Sequence, residues 1–211
     1  MRTTDSYIES HIMNRSPQLM EMEEFARINH IPIMELVSIE SFLQLLRLQN
    51  PDSILEIGSA IGYSAIRMAT ALPNTKITTI EKDENRAELA RTYIEKNELT
   101  TRIQLLSGDA LDIELHALAS TKFQAIFIDA AKGQYQRFFD KFSPLVPSGG
   151  VIYCDNMLMR GFTEIELSDV PRRKRTMVRN LQSFTKWLMN HEDYITTFLP
   201  IGDGITISIK R

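Results

Sequence analysis

Ile54-Leu55-Glu56-Ile57-Gly58-Ser59-Ala60-Ile61-Gly62-Tyr63-Ser64 is the stretch from which the rest of the chain can be read. An apolar run of strand length meets two glycines and then residues suited to a helix start. Glycine at such a junction lets the backbone turn tightly and approach a ligand. A dinucleotide fingerprint needs Gly-x-Gly-x-x-Gly, but Ala60 and Tyr63 stand at the second and third glycine places. No Gly-Lys-Ser/Thr comes after it, which excludes a P-loop. Glu56, two residues before Gly58, suits a cationic ligand better than a phosphate. Taken alone, the stretch fits a plain tight strand-to-helix turn equally well.

Working outward, apolar runs of strand length recur at 53–58, 76–81, 102–109, 123–129 and 149–156. The segments between them, such as 83–98 and 134–145, carry charges at helical period. Strands that are apolar throughout and separated by helices predict a parallel sheet covered on both faces. At the end of the chain the runs 194–201 and 205–209 are joined by Gly202-Asp203-Gly204, a hairpin signal, so the last strand is expected to be antiparallel. Residues 1–50 read as helices, with Ile39, Phe42, Leu43, Leu45, Leu46 and Leu48 at helical spacing before Pro51 stops the run. The expectation is a single α/β domain over 1–211, with a helical cap at 1–50 and an α/β core at 51–211.

Composition agrees with a globular chain: 211 residues, 43% hydrophobic, net charge −3. The one cysteine, Cys154, excludes an internal disulfide and a cysteine-based metal site. His11, His30, His116 and His191 show no ligand spacing. No apolar run reaches the ~18 residues of a membrane span, and residues 1–15 lack a signal-peptide core. A soluble cytoplasmic protein with no membrane partner is the expectation.

Polar residues gather where the apolar runs end. Glu81 closes the second run, where a carboxylate can accept both hydroxyls of a ribose. Asp83, just beyond, equally suits a helix start. The third run ends Gly108-Asp109-Ala110; Asp109 can accept from an adenine amino group or cap the next helix. The fourth ends Asp129-Ala130-Ala131-Lys132, and the fifth Asp155-Asn156. Asp129, Asp155 and Asn156 offer three oxygen ligands and two charges, which suits Mg²⁺ or a similar hard cation. The Asp-Asn pair alone fits the start of a loop as well, and Lys132 fits a solvated surface.

Together these motifs resemble the class I S-adenosylmethionine-dependent methyltransferases, and within them the metal-dependent O-methyltransferases that include the catechol and caffeoyl-CoA enzymes. The resemblance is strong over about 30–160 and looser elsewhere. It implies a Rossmann-like sheet of seven strands with the last antiparallel and helices on both faces. It implies S-adenosylmethionine as cofactor, held by Met34, Glu56, Gly58, Ser64, Glu81, Gly108, Asp109, Ala110 and Asp129. Asp129, Asp155 and Asn156 become metal ligands, and Lys132 the catalytic base that takes the acceptor's hydroxyl proton.

The identity of the acceptor turns on the residues after Asn156. Residues 171–179 hold Arg172, Arg173, Lys174, Arg175 and Arg179 and no acidic side chain, so the remainder of the chain, whose total is −3, stands at −8. Such a cluster suits an anionic partner such as RNA phosphate. It also fits a solvated helix start, since Met177, Val178, Leu181, Phe184, Trp187 and Leu188 form an apolar stripe expected to be buried. The run is similar to that of bacterial tRNA 5-hydroxyuridine methyltransferases, which implies tRNA as substrate, with Arg160 nearer the target nucleotide. In 5-hydroxyuridine the 5-hydroxyl and 4-carbonyl oxygens are adjacent and can chelate a metal as a catechol does. A small catechol-like metabolite and a non-catalytic cofactor- or RNA-binding module stay open beside it. A homodimer is expected.

Overall fold

Each apolar run becomes a strand, and the runs join in one sheet. The computed structural model describes residues 4–211. Its strands are β1 (Ser53–Ile57), β2 (Lys76–Glu81), β3 (Ile103–Ser107), β4 (Ala125–Ile128), β5 (Val151–Cys154), β6 (Tyr194–Leu199) and β7 (Ile205–Lys210). They form a seven-stranded sheet in the order β3-β2-β1-β4-β5-β7-β6. The first five are parallel, and β7 inserts between β5 and β6, antiparallel to both. The fold and the reversed last strand are therefore as the sequence predicts. The observed strands stop short of the apolar runs. Gly108, Asp109, Asp129, Asp155 and Asn156 lie just beyond the strand ends.

The helices are α1 (Thr4–Glu9), α2 (Pro17–Ile28), α3 (Leu36–Gln49), α4 (Tyr63–Ala71), α5 (Glu84–Lys96), α6 (Tyr135–Phe142) and α7 (Arg175–Met189). Residues of α2, α3, α4 and α5 bury one sheet face, and residues of α6 and α7 the other. This is why β4 and β5 are buried at every position. The helical pattern at 134–145 ends early, at Phe142, because Pro144 lacks the N–H to continue it; a 3₁₀ turn takes over at Ser143–Leu145.

Residues 36–49 do more than cap the sheet. Ile39, Phe42, Leu43 and Leu46 recur at i, i+3, i+4 and i+7, and Phe42 stacks on Phe127 of β4 at 4.3 Å and meets Tyr153 of β5 edge-on at 5.2 Å. Leu48, read with this apolar run, is off the stripe and 78% exposed. Met177 is likewise exposed, while Val178, Leu181, Phe184 and Leu188 form the buried face of α7. Asn50 ends α3 in the left-handed conformation, φ 50°, and Pro51 comes next.

A chain of polar contacts ties α2, α3 and α4 together. Arg15 pairs with Glu23 at 2.7 Å, the Tyr63 hydroxyl donates to Glu23 at 2.7 Å, Arg67 donates to that hydroxyl at 2.7 Å, and Arg67 also pairs with Glu40. Arg67 is buried, and a buried guanidinium needs this pairing. The network fixes Tyr63, the first residue of α4, beside the glycine turn.

The Phe42→Ala variant is expected to lose about 3–4 kcal/mol of unfolding free energy from cavity formation. Leu48→Ala should cost less than about 0.5 kcal/mol. Urea denaturation of the two variants checks the assignment.

Candidate active site

The order of the strands reverses direction between β1 and β4, and open α/β sheets bind ligands at such a point, beyond the strand carboxyl ends. A cavity of about 710 Å³ lies there. Its wall includes Met34, Gly58, Ser64, Glu81, Gly108, Asp109, Ala110, Asp129, Lys132, Asp155, Asn156 and Arg160. Thus one cavity brings together the expected cofactor, metal and base residues except Glu56, and Arg160, but none of the basic run at 172–179.

Gly58 has no freedom to be anything else. Its φ is +95°, and an added Cβ would overlap the Asp129 carbonyl. The turn after β1 thus lies directly against the end of β4. Ala60 adopts φ 47°, and its N–H donates to Glu81 Oε2 at 2.7 Å. Glu81 Oε1 accepts from Asp83 N at 2.9 Å. Glu81 therefore braces the glycine turn while its carboxylate keeps lone pairs for a ligand. Asp83 is the N-cap of α5, accepting from Arg86 N at 3.1 Å. Asp109 accepts from Leu111 N at 2.9 Å and pairs with exposed Lys82 at 2.7 Å, which holds its carboxyl below the usual range.

Glu56 lies behind the cavity wall. It is fully buried, accepting from the hydroxyls of Ser64 and Thr79. Burial pushes its carboxyl up to about 7 against those two hydrogen bonds. Ser64, in front of it, is the residue that faces the cavity.

The floor is electrostatically unusual. The β4–β5 register pairs Ile128 with Cys154, so Asp129 and Asp155 leave adjacent strands side by side. Burial pushes Asp129 well up from the ordinary carboxylate range, and Asp155 adds to the shift. Burial also raises Asp155, to about 6, although Asn156 N donates to it at 2.7 Å. Asn156 Nδ2 donates to Asp129 Oδ1 at 3.1 Å, and Lys132 Nζ donates to Asn156 Oδ1 at 2.5 Å. Two neighbouring carboxylates, Asp155 buried and Asp129 half-buried, and an amide oxygen match the donors of a hard divalent cation. Among the described residues no cluster of three or more His, Cys, Asp or Glu side chains is placed to hold a metal. This set reaches three donors only through the amide, whose oxygen Lys132 would have to yield.

The basic run lies outside the wall. Arg172, Arg173 and Arg179 are exposed. Lys174 Nζ sits 4.2 Å over the Phe162 ring, and Arg175 donates to the Val170 and Ser168 carbonyls at 2.8 and 2.7 Å. Two cavity residues carry no site signal of their own in the sequence. Ser59 presents a buried hydroxyl with no hydrogen-bond partner among the described residues. Asp203 reads in the sequence only as a turn residue; its one signal is the position of its hairpin, whose returning strand pairs with β5.

The family model described as O-methyltransferase matches residues 9–211. Caffeoyl-CoA O-methyltransferase 1 of Arabidopsis thaliana is 33% identical over 95% of this chain and 81% of its own. A candidate caffeoyl-CoA O-methyltransferase of Staphylococcus aureus has a crystal structure 34% identical, with a TM-score of 0.87 over 94% of this chain and 93% of its own. The O-methyltransferase TomG of Streptomyces achromogenes, involved in tomaymycin synthesis and solved with S-adenosylmethionine, is 26% identical with a TM-score of 0.84, covering 98% of this chain and 95% of its own.

A carboxyl raised by burial favours folding most while it is protonated. The contribution of Glu56 is fully present below the ordinary value of 4.5 and is lost as pH rises through about 7. Glu56→Gln does not titrate, so its stability relative to the wild type should rise from pH 5 to about pH 7 and level off by pH 8. Thermal unfolding of both proteins across that window checks this; a flat difference would remove the buried-acid assignment.

Proposed function

The chain belongs to the O-methyltransferase family, and from that premise we propose that it transfers a methyl group from S-adenosylmethionine to the 5-hydroxyl of 5-hydroxyuridine at the wobble position of tRNA. The observation that carries the chemistry is Lys132 Nζ, 2.5 Å from Asn156 Oδ1, beside buried Asp155 and half-buried Asp129 in one cavity. In this reading Glu81 accepts from the ribose hydroxyls, Gly108, Asp109 and Ala110 flank the adenine, and Met34, Gly58, Ser64 and Asp129 face the methionyl end. Asp129, Asp155 and Asn156 would hold Mg²⁺ or a similar cation. Such an ion, when bound, supplies positive charge to two adjacent acceptor oxygens and eases loss of the hydroxyl proton. In this reading Lys132 acts as the neutral amine, and its Nζ lone pair takes that proton to give the ammonium. The acceptor oxygen then forms its bond to the methyl carbon as the carbon–sulfur bond breaks, leaving S-adenosylhomocysteine. The contribution of this chain is placement and a dry, charged floor, with no covalent step on the protein.

The tRNA reading draws support from Arg160 at the cavity and from the exposed Arg172, Arg173 and Arg179. A single-stranded wobble base can be splayed into a pocket. A small catechol-like acceptor is the second reading, favoured by the relatives named for caffeoyl-CoA; 5-hydroxyuridine and a catechol share the adjacent-oxygen chemistry. Cytoplasmic action accompanies the tRNA reading, and no described helix is long and apolar enough to cross a membrane. A homodimer would have apolar surface to bury at Ile28 and Leu48, both well exposed.

Three results are expected. Transfer RNA from a deletion strain, digested and examined by nucleoside mass spectrometry, should lose 5-methoxyuridine and accumulate 5-hydroxyuridine; an unchanged profile would return the small-phenol reading to first place. Asp129→Ala and Asp155→Ala should abolish methyl transfer by the purified protein, and chelators should inhibit the wild type, whereas full activity of chelator-treated, metal-free protein would exclude the metal. Neutralising Arg172, Arg173 and Arg179 together should raise the KM for tRNA at low salt and reduce the slope of its salt dependence by about 2–3. Lys174 and Arg175 are left intact because their side chains make internal contacts.

A further inference from the structure

Asp203 has no role in the chemistry above, yet it touches both halves of the acceptor end. It occupies the turn between β6 and β7, and the pairing of β7 with β5 brings this turn over the carboxyl end of β5. Its Oδ1 accepts the backbone N–H of Arg160, and its Oδ2 lies 3.8 Å from Lys132 Nζ. Its own carbonyl accepts Leu158 N–H at 2.7 Å, and the Gly204 carbonyl accepts Met157 N–H at 2.9 Å.

The segment so held is unusual. Asn156, Met159 and Arg160 have φ of 60°, 51° and 56°, and Gly161 comes next at 80°. Methionine and arginine rarely adopt this backbone unless their surroundings impose it. Here the hairpin imposes it. A Cβ at Gly204 would come within 2.6 Å of Leu158 Cγ, and one at Gly202 would overlap Ser38 Oγ of α3, so the hairpin is wedged between the loop and α3. The Asp203 side chain is 23% exposed, and with Oδ1 fixed by the loop, Oδ2 has a set direction. Lysine has a long flexible stem. One acceptor, Asn156 Oδ1, and one carboxylate charge, Asp203 Oδ2 at 3.8 Å, come from two different loops and confine where its Nζ sits.

We propose that Asp203 is a positioning residue that couples acceptor recognition to proton removal: one carboxylate oxygen sets the turn that presents Arg160, and the other holds Lys132 in place beside Asn156. The proposal rests on the methyl-transfer reading and assigns Asp203 no contact with the reacting atoms. Binding of an acceptor against Arg160 is then felt at Lys132 through a single side chain.

Two variants separate the oxygens. In Asp203→Asn an amide oxygen still accepts Arg160 N–H while the charge facing Lys132 is gone; in Asp203→Ala both are gone. With tRNA containing 5-hydroxyuridine as acceptor, Asp203→Asn should keep its KM within about twofold of wild type, while kcat falls by about ten- to a hundredfold. Asp203→Ala should lose kcat and also raise KM. Hydrogen exchange at residues 157–161, read without substrate, should be faster by about tenfold or more in Asp203→Ala and unchanged in Asp203→Asn. Wild-type kcat in Asp203→Asn, or unchanged exchange in Asp203→Ala, overturns the proposal. So does an Asn variant that matches the Ala variant in KM, exchange and thermal stability, since that is what a purely structural turn residue would give. A wild type that methylates neither this tRNA nor 1,2-dihydroxybenzene removes the methyl-transfer reading itself and the proposal with it, an outcome distinct from any difference between the variants.

Discussion

The contact between Gly58 and the Asp129 carbonyl is the constraint on which the site depends. Backbone meets backbone there, at the reversal of strand order, with no space for a Cβ. The Gly58 N–H donates to the Ile80 carbonyl at 2.9 Å and the Asp129 N–H to the Ile57 carbonyl at 3.0 Å, so three strand ends are locked at one height. Glu81 is the last residue of β2, Asp129 comes directly after β4, and Asp155 directly after β5. Their carboxylates project into one cavity because the strands that carry them end together. An added methyl at residue 58 would push the glycine turn and the Asp129 backbone apart, separating the two ends of the cavity.

The charge inside the protein is distributed unequally. On the α2–α4 side, Arg15, Glu23, Tyr63, Arg67 and Glu40 satisfy one another in an unbroken chain. On the floor of the cavity, Asp129 and Asp155 have, among the described residues, only the donors of Asn156 and the neighbourhood of Lys132. Burial raises both carboxyls, and the charge of Lys132 offsets it only in part. The first arrangement holds helices together. The second costs stability and makes sense where a ligand brings the missing charge.

The strands are legible because a parallel sheet covered on both faces needs continuous apolar runs, and those runs stand out between charged helices. Their ends are less legible, since apolar periodicity does not reveal where Asp129 or Asp155 leaves the ladder. Leu48 is apolar and close to a buried stripe, yet lies more than a hundred degrees of helix rotation off it, whereas Met177 is on its stripe, four residues before Leu181, but in the first turn of α7, where it stays exposed. Glu56 is adjacent in sequence to the glycine turn, but strand alternation turns it behind Ser64. Arg175 reads as one of five surface charges, whereas its guanidinium is spent on two carbonyls of its own chain. Asp203 escapes a reading of the sequence as a site residue because its place depends on a strand inserted between two others. That is a long-range fact which the Asp-Gly turn signal does not contain.

That inserted strand orders events in time. A chain leaves the ribosome amino end first, so β1 to β5 can assemble while β7 is still being made. β6 emerges earlier than its partner and has no neighbour in the sheet until Ile205–Lys210 arrives. Until then the outer edge of β5 is unpaired, and the amides of Met157, Leu158 and Arg160 lack the Gly204 and Asp203 acceptors that the hairpin brings to them. The glycine turn and the two aspartates belong to the early part of this history, and the Asp203 side of the cavity is completed by β7, the seventh strand. A chain stalled short of residue 205 would carry an open strand edge, the kind of surface on which nascent proteins pair wrongly, beside a nearly finished cofactor cleft.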